Sequence, residues 1–278
     1  MFTANPFAVL SGSVSPDLMQ VYVIVMFILV VGGTLIDVIH KKSAAYFFEN
    51  AKKAEAAAKR PVGGGEKVGI AIQTIAEDVL TSAEFCNPNR RIAHLLTMYG
   101  FILFIVTTVA LVFAYPTPAA AAPGWVAGLW HLGALMVCVG GYWFWFFIRV
   151  DVAAEGNPWY RVCRADLFIL SLLATNTLAL VWSLTGAGTN LWLGLFILSS
   201  LVLVGGVLWS KFAHMFFKPA AAFQKHVAKA NGSNQNLPVI GDLSDPELQK
   251  MFPDIPQYMG KNPPNMGLGI KRELPRHY

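Results

Sequence analysis

The sequence predicts an all-α integral membrane protein. Its bundle of five transmembrane helices has the N-terminus outside, a cytoplasmic helical loop and an extended proline-rich C-terminal tail. Three observations carry this. The 278 residues are 55% hydrophobic and 13% charged, about half the charge of a soluble domain, with a mean hydropathy of +0.51. The apolar residues fall into five long blocks. The basic residues occupy only alternate connections between those blocks.

The blocks are Leu18–Ile39, Ile92–Tyr115, Trp125–Ile148, Leu167–Leu184 and Leu191–Phe217. A bilayer core takes about 20 apolar residues in helical form, so each block predicts one span. The first lacks a basic leader and a small-residue cleavage site, so it reads as a retained span and not a signal peptide.

Orientation follows from lysine and arginine. Nine lie between His40 and Arg91, three between Arg149 and Arg164, and nine from Lys211 onward, which accounts for all 21. The N-terminal segment and the connections 116–124 and 185–190 hold none. The N-terminus is therefore expected outside, with the two larger loops and the C-terminus in the cytoplasm. The sequence pI of about 9.1 reflects this asymmetry. It calls for anionic lipid head groups and acidic partner proteins, and no nucleic acid.

Between the spans, Ser43–Arg60 is rich in Ala, Lys and Glu and reads as a helix that stops at Pro61-Val62-Gly63-Gly64-Gly65. A second helix is expected over about Glu66–Phe85, with Ile72, Ile75, Val79 and Leu80 near one face. It would lie on the inner surface or pack under a partner. The outer connections are short and uncharged, too small for an external receptor or catalytic domain. Residues 1–218 thus form the transmembrane domain, and 219–278 a cytoplasmic partner-binding tail. That tail holds half of the sixteen prolines. Ser244-Asp245-Pro246-Glu247 reads as a capping box opening one short helix, followed by apolar anchors at Met251, Phe252, Ile255, Tyr258 and Met266. Such a pattern fits a strap ordered on a partner.

The three cysteines, Cys86, Cys138 and Cys163, have no iron–sulfur or zinc spacing. No dinucleotide fingerprint, P-loop, nucleophile elbow or zincin motif occurs, and no catalytic residue is proposed.

Histidine carries the chemistry that remains. His94 lies in the first turn of span two and His214 in the last turns of span five, so both are expected at the inner edge of the bilayer. Two neutral imidazoles on facing helices there suit the axial positions of one haem b. Arg90, Arg91, Arg164 and Lys211 cluster at the same edge and suit its propionates. His131, about two turns into span three from the outside, is a candidate hydrogen-bond donor to a quinone carbonyl, or else an interhelical hydrogen-bonder. His226 and His277 read as solvated, and His40 as interfacial. Asn176 and its neighbouring threonines read as helix–helix glue, and Asp37 as a partner for a basic residue at the inner rim.

Two motifs give these positions a context. Arg91-x-x-His94 precedes Tyr99-Gly100-Phe101-Ile102-Leu103-Phe104 and Thr107-Thr108, and span five carries Trp209-Ser210-Lys211-Phe212-Ala213-His214-Met215-Phe216. The chain resembles the five-helix haem-b membrane anchors of respiratory complexes. These include the gamma subunit of nitrate reductase and the membrane subunits of heterodisulfide reductase and of the quinone-interacting oxidoreductase of sulfate reducers. The long inner loop, proline-rich tail and absence of iron–sulfur cysteines look most like the membrane anchor of dissimilatory adenylylsulfate reductase. The resemblance implies a subunit of the bacterial inner membrane that passes electrons between cytoplasmic flavin and iron–sulfur oxidoreductase subunits and quinone. The nitrate reductase pattern holds a second histidine pair, but Phe104 and Phe196 stand near the comparable positions here. One haem at most is therefore expected. The alternative is a haem-free anchor that only tethers a soluble complex.

Overall fold

The computed structural model of the chain describes residues 2–40, 43–83, 85, 87–151, 156–208, 214–235 and 237, with Ser43, Ala44, His214 and Phe216 described by backbone alone. No strand occurs among the described residues, and five helices are long and apolar enough to cross a membrane. The order is α1 (Pro6–Leu10), α2 (Pro16–His40), α3 (Ser43–Ala56), α4 (Gly64–Gln73), α5 (Pro88–Phe113), α6 (Gly124–Trp143), α7 (Leu167–Leu184), α8 (Leu191–Gly205) and α9 (His214–Ala230). Wider π-helical turns extend α4 through Thr74–Leu80 and α6 through Phe144–Ile148, and a tight 3₁₀ turn, Gly206–Leu208, ends α8.

Asparagine sets the start of three helices. Asn5, Asn87 and Asn190 each accept a backbone N–H of the first turn through the side-chain oxygen, and Pro6 and Pro88 occupy positions whose N–H needs no partner. The spans α2, α5, α6, α7 and α8 pack in a closed circuit, with α2 touching both α5 and α8. The tightest seam is α5 against α6. A Cβ at Gly133 would stand 2.7 Å from the Phe104 backbone nitrogen, and one at Gly140 would stand 2.6 Å from the Ala93 carbonyl oxygen. Glycine there lets the two backbones touch, as small residues do where helices associate in lipid. Outward, α2 exposes Leu18, Val21, Ile28, Val31, Leu35 and Ile39, an apolar face suited to acyl chains.

Two apolar cores fill the circuit. At the end away from the basic segments, Phe104, Trp130, Trp182 and Phe196 pack together with Leu111 and Phe7 of α1. At the basic end, a smaller core joins Val137, Leu172, Leu203 and Val207. Beyond it lies a layer of α3, α4 and α9. Gln224 donates to the Phe47 carbonyl at 2.7 Å and Asn231 to the Ala54 carbonyl at 3.1 Å, while the Lys59 N–H donates to the Asn231 carbonyl at 2.8 Å.

The span that begins at Leu191 is described as far as Leu208, and residues 209–213, on the way to its expected end at Phe217, lie outside the described residues. From His214 the chain is described again as helix α9. One expectation changes. The first part of the expected tail, from Pro219 to Ala230, is the body of α9 and packs on the chain's own loop helices. The capping box at 244–247 and the apolar anchors after it lie outside the described residues.

Candidate functional site at the basic end

His94 stands where α5 meets the end of the α4 segment. Three successive residues of that segment are held by α5. Tyr99 Oη donates to the Leu80 carbonyl at 2.6 Å, Arg91 Nε donates to the Thr81 carbonyl at 2.7 Å, and Ser82 Oγ lies 3.0 Å from His94 Nδ1. Ser82 is buried, and its φ of 48° is left-handed. A serine held there costs on the order of 1 kcal/mol, and such strain concentrates at working sites.

Phe85 then links two helices. Its ring centroid is 4.9 Å from that of His94. Arg90 Cζ lies 5.5 Å from the centroid of Phe85, and Lys218 Nζ lies 4.8 Å from it. Lys218 belongs to α9, one helical turn after His214. The first turns of α9 therefore come to the cluster around His94, and two cations converge on one aromatic ring.

The residues at His94 fit an axial imidazole. With Nδ1 facing the Ser82 hydroxyl, Nε2 is the nitrogen through which this ring would hold a metal, and Ser82 helps fix the ring's orientation. At the end of the bundle away from the basic segments, aromatic packing occupies the comparable positions. Phe104 packs on Trp130 with centroids 5.1 Å apart, and Phe196 stacks on Trp182 at 5.8 Å. Among the described residues no group of three or more His, Cys, Asp or Glu side chains forms a metal cluster.

The other expected site residues divide. Arg90 and Arg91 belong to the cluster, as above. Arg164 is exposed on the turn that opens α7, and no hydrogen bond, ion pair or ring contact among the described residues joins it to His94. Lys211 lies outside the described residues, as does the side chain of His214. His131 is 3% exposed, with Nδ1 2.7 Å from the Ala127 carbonyl and Nε2 2.7 Å from Ser183 Oγ. A carbonyl only accepts, so Nδ1 carries the proton and Ser183 donates to Nε2. Phe2 covers the ring edge to face at 5.4 Å. This histidine ties α6 to α7 with both nitrogens engaged, the interhelical role and not an open quinone donor. Thr177 likewise bridges helices, to Tyr142 Oη at 2.9 Å, while Asn176 donates to Leu172 of its own helix.

Sequence reasoning missed four features. Lys218, Phe85 and Ser82 carry no motif, because their meeting depends on how α4 and α9 fold back. His226 is half-buried and 2.7 Å from the Asp78 carboxylate, joining α9 to the α4 segment. Arg149 is 2% exposed, paired with Asp166, donating to the Arg161 carbonyl at 2.8 Å and lying 4.0 Å over Trp145. The signal for that pair was an arginine and an aspartate on opposite flanks of one short connection. α1 was signalled by Asn5-Pro6, a cap and first-turn dipeptide. Neither a family model, nor a curated protein, nor a solved structure matches this chain.

Proposed function

We propose that this chain is the membrane anchor and electron-transfer subunit of a cytoplasmic oxidoreductase, with one haem b held by His94 and His214 and with quinone as the redox partner in the lipid. The carrying observation is the convergence at the basic end. Ser82 orients the His94 ring, and Phe85 joins it to Lys218, one turn after His214. Haem b, when bound, supplies one-electron transfer between the soluble partner and the quinone pool.

The chain's own residues do the rest. Ser82 holds His94 Nδ1 and so steadies the ring's orientation. Arg90 and Lys218, with Arg91 on the same turn of α5, supply positive charge for propionate carboxylates. The aromatic core around Trp130 and Trp182 keeps water and any further prosthetic group out of the other half. The positive-inside pattern supports a cytoplasmic basic end, and the resemblance implies a bacterial inner membrane. There the layer of α3, α4 and α9 faces a flavin and iron–sulfur partner of the adenylylsulfate reductase kind. Arg164 and His131 are not carried forward into this reading.

A second reading has its own support. The hydrogen bonds that brace α9 on α3 do not involve His94, so a haem-free tether would keep the same platform. The haem content of the purified protein separates the two. A pyridine haemochrome ratio near one haem per chain is expected, and a haem-free preparation from haem-replete cells favours the tether.

A further inference from the structure

We propose that the outward face of α4 and its wide final turn is a lipid-contact surface, an amphipathic segment riding in the boundary between head groups and acyl chains. The inference rests on the five-span membrane fold and is independent of the haem reading.

Two stripes stand out among the exposed residues of this segment, with Lys67 exposed between them near its start. Val68, Ile72 and Ile75 recur at spacings of four and three and are 60%, 64% and 54% exposed, which puts them on one side of the helix. Glu66, Gln73 and Glu77 form the other stripe, with Gln73 Nε2 donating to both carboxylate oxygens of Glu77 at 3.2 and 3.1 Å. At 3.6 residues per turn the two stripes point roughly 150° apart. The third side is turned to the protein, where Thr74 is buried and Asp78 meets His226 of α9. An exposed surface split into apolar and acidic halves belongs at a boundary between apolar medium and water.

Depth decides which apolar medium. Tyr99 lies on the outward stripe of α5 with Ile92, Ile102 and Val106, all exposed. Its hydroxyl donates to the Leu80 carbonyl at 2.6 Å. From Ile92, where the apolar block begins, to Tyr99 is about 10 Å of rise. Even with the tyrosine leaning back toward the start of α5, Leu80 sits beside the apolar part of the span. Interfacial helices bury their apolar face roughly 5–10 Å into this boundary. Acyl chains reach that depth, whereas the surface of a soluble partner stops at the head groups.

The test uses the full chain in vesicles of phosphatidylcholine and phosphatidylglycerol. Cys86→Ser, Cys138→Ala and Cys163→Ser provide the background, and a nitroxide label is placed one position at a time through Val68→Cys, Ile72→Cys, Gln73→Cys and Glu77→Cys. Collision with oxygen and with a water-soluble nickel chelate is read for each. Positions 68 and 72 are expected to favour oxygen over nickel several-fold more than 73 and 77 do. Equal access of nickel to 68, 72 and 73 overturns the proposal in favour of a solvated face. Exclusion of both reagents at 68 and 72 overturns it in favour of a protein occupant. Two labelled positions on each stripe keep the answer from depending on one variant's folding.

Discussion

At the end of the bundle away from the basic segments, α1 inserts Phe7 beside Trp130 and Trp182, and both nitrogens of His131 are engaged by the protein. At the basic end a strained Ser82 faces His94, and cations gather on Phe85. The first end contains a histidine used as a helix fastener. The second contains a histidine held by a hydroxyl, amid charge. The residue type is the same, but only the second environment gathers the cations that the proposed anionic, metal-bearing group would need. The contrast teaches that depth along the bundle decides what a histidine here does.

Four substitutions sharpen the contrast, taken from the largest expected effect downward. Gly133→Leu should break the assembly outright, because even a Cβ there stands 2.7 Å from the Phe104 backbone. The α5–α6 seam must part, and a loss of about 3 kcal/mol or more is expected, read as failure to recover a monodisperse protein in detergent. Arg149→Met leaves Asp166 without its buried partner and should cost about 3 kcal/mol, read as a lowered unfolding midpoint in mixed micelles. Ser82→Ala removes the hydroxyl facing His94 and should weaken haem retention about tenfold while leaving the fold intact, read by haem loss to an apo-globin acceptor. Arg60→Gln should be the smallest. Hydrogen bonding to Arg60, and then its charge, holds the Glu66 carboxyl below its ordinary pKa. That depressed value means the pair contributes above the unfolded carboxylate range and its contribution is lost as pH falls through the folded pKa. Both groups are exposed, so solvent screens the pair and the unfolding midpoint at neutral pH should not move measurably.

Much of the fold was legible because membrane spans are written in bulk hydropathy. The fourth block, Leu167–Leu184, coincides with α7 to the residue, since charged and glycine-rich segments bracket it sharply. The fifth begins with α8 at Leu191, but hydropathy averages over the stretch and does not register that the α-helix gives way to a tight 3₁₀ turn at Gly206. The site was legible only in part. His94, Arg90 and Arg91 share one helix turn, so spacing alone brought them together. Lys218 and Ser82 reach His94 through the fold-back of α9 and α4, which no local pattern encodes. His226 read as solvated because its partner Asp78 is 148 residues away.

The central claim is that His94 holds haem and His131 does not. A reduced-minus-oxidised visible spectrum of the purified protein, taken in parallel for the parent chain, His94→Ala and His131→Gln, tests it most directly. The account predicts a b-type α-band in the parent, its loss in His94→Ala, and its retention in His131→Gln. A band that survives His94→Ala, or a parent chain with no band at all, would contradict it.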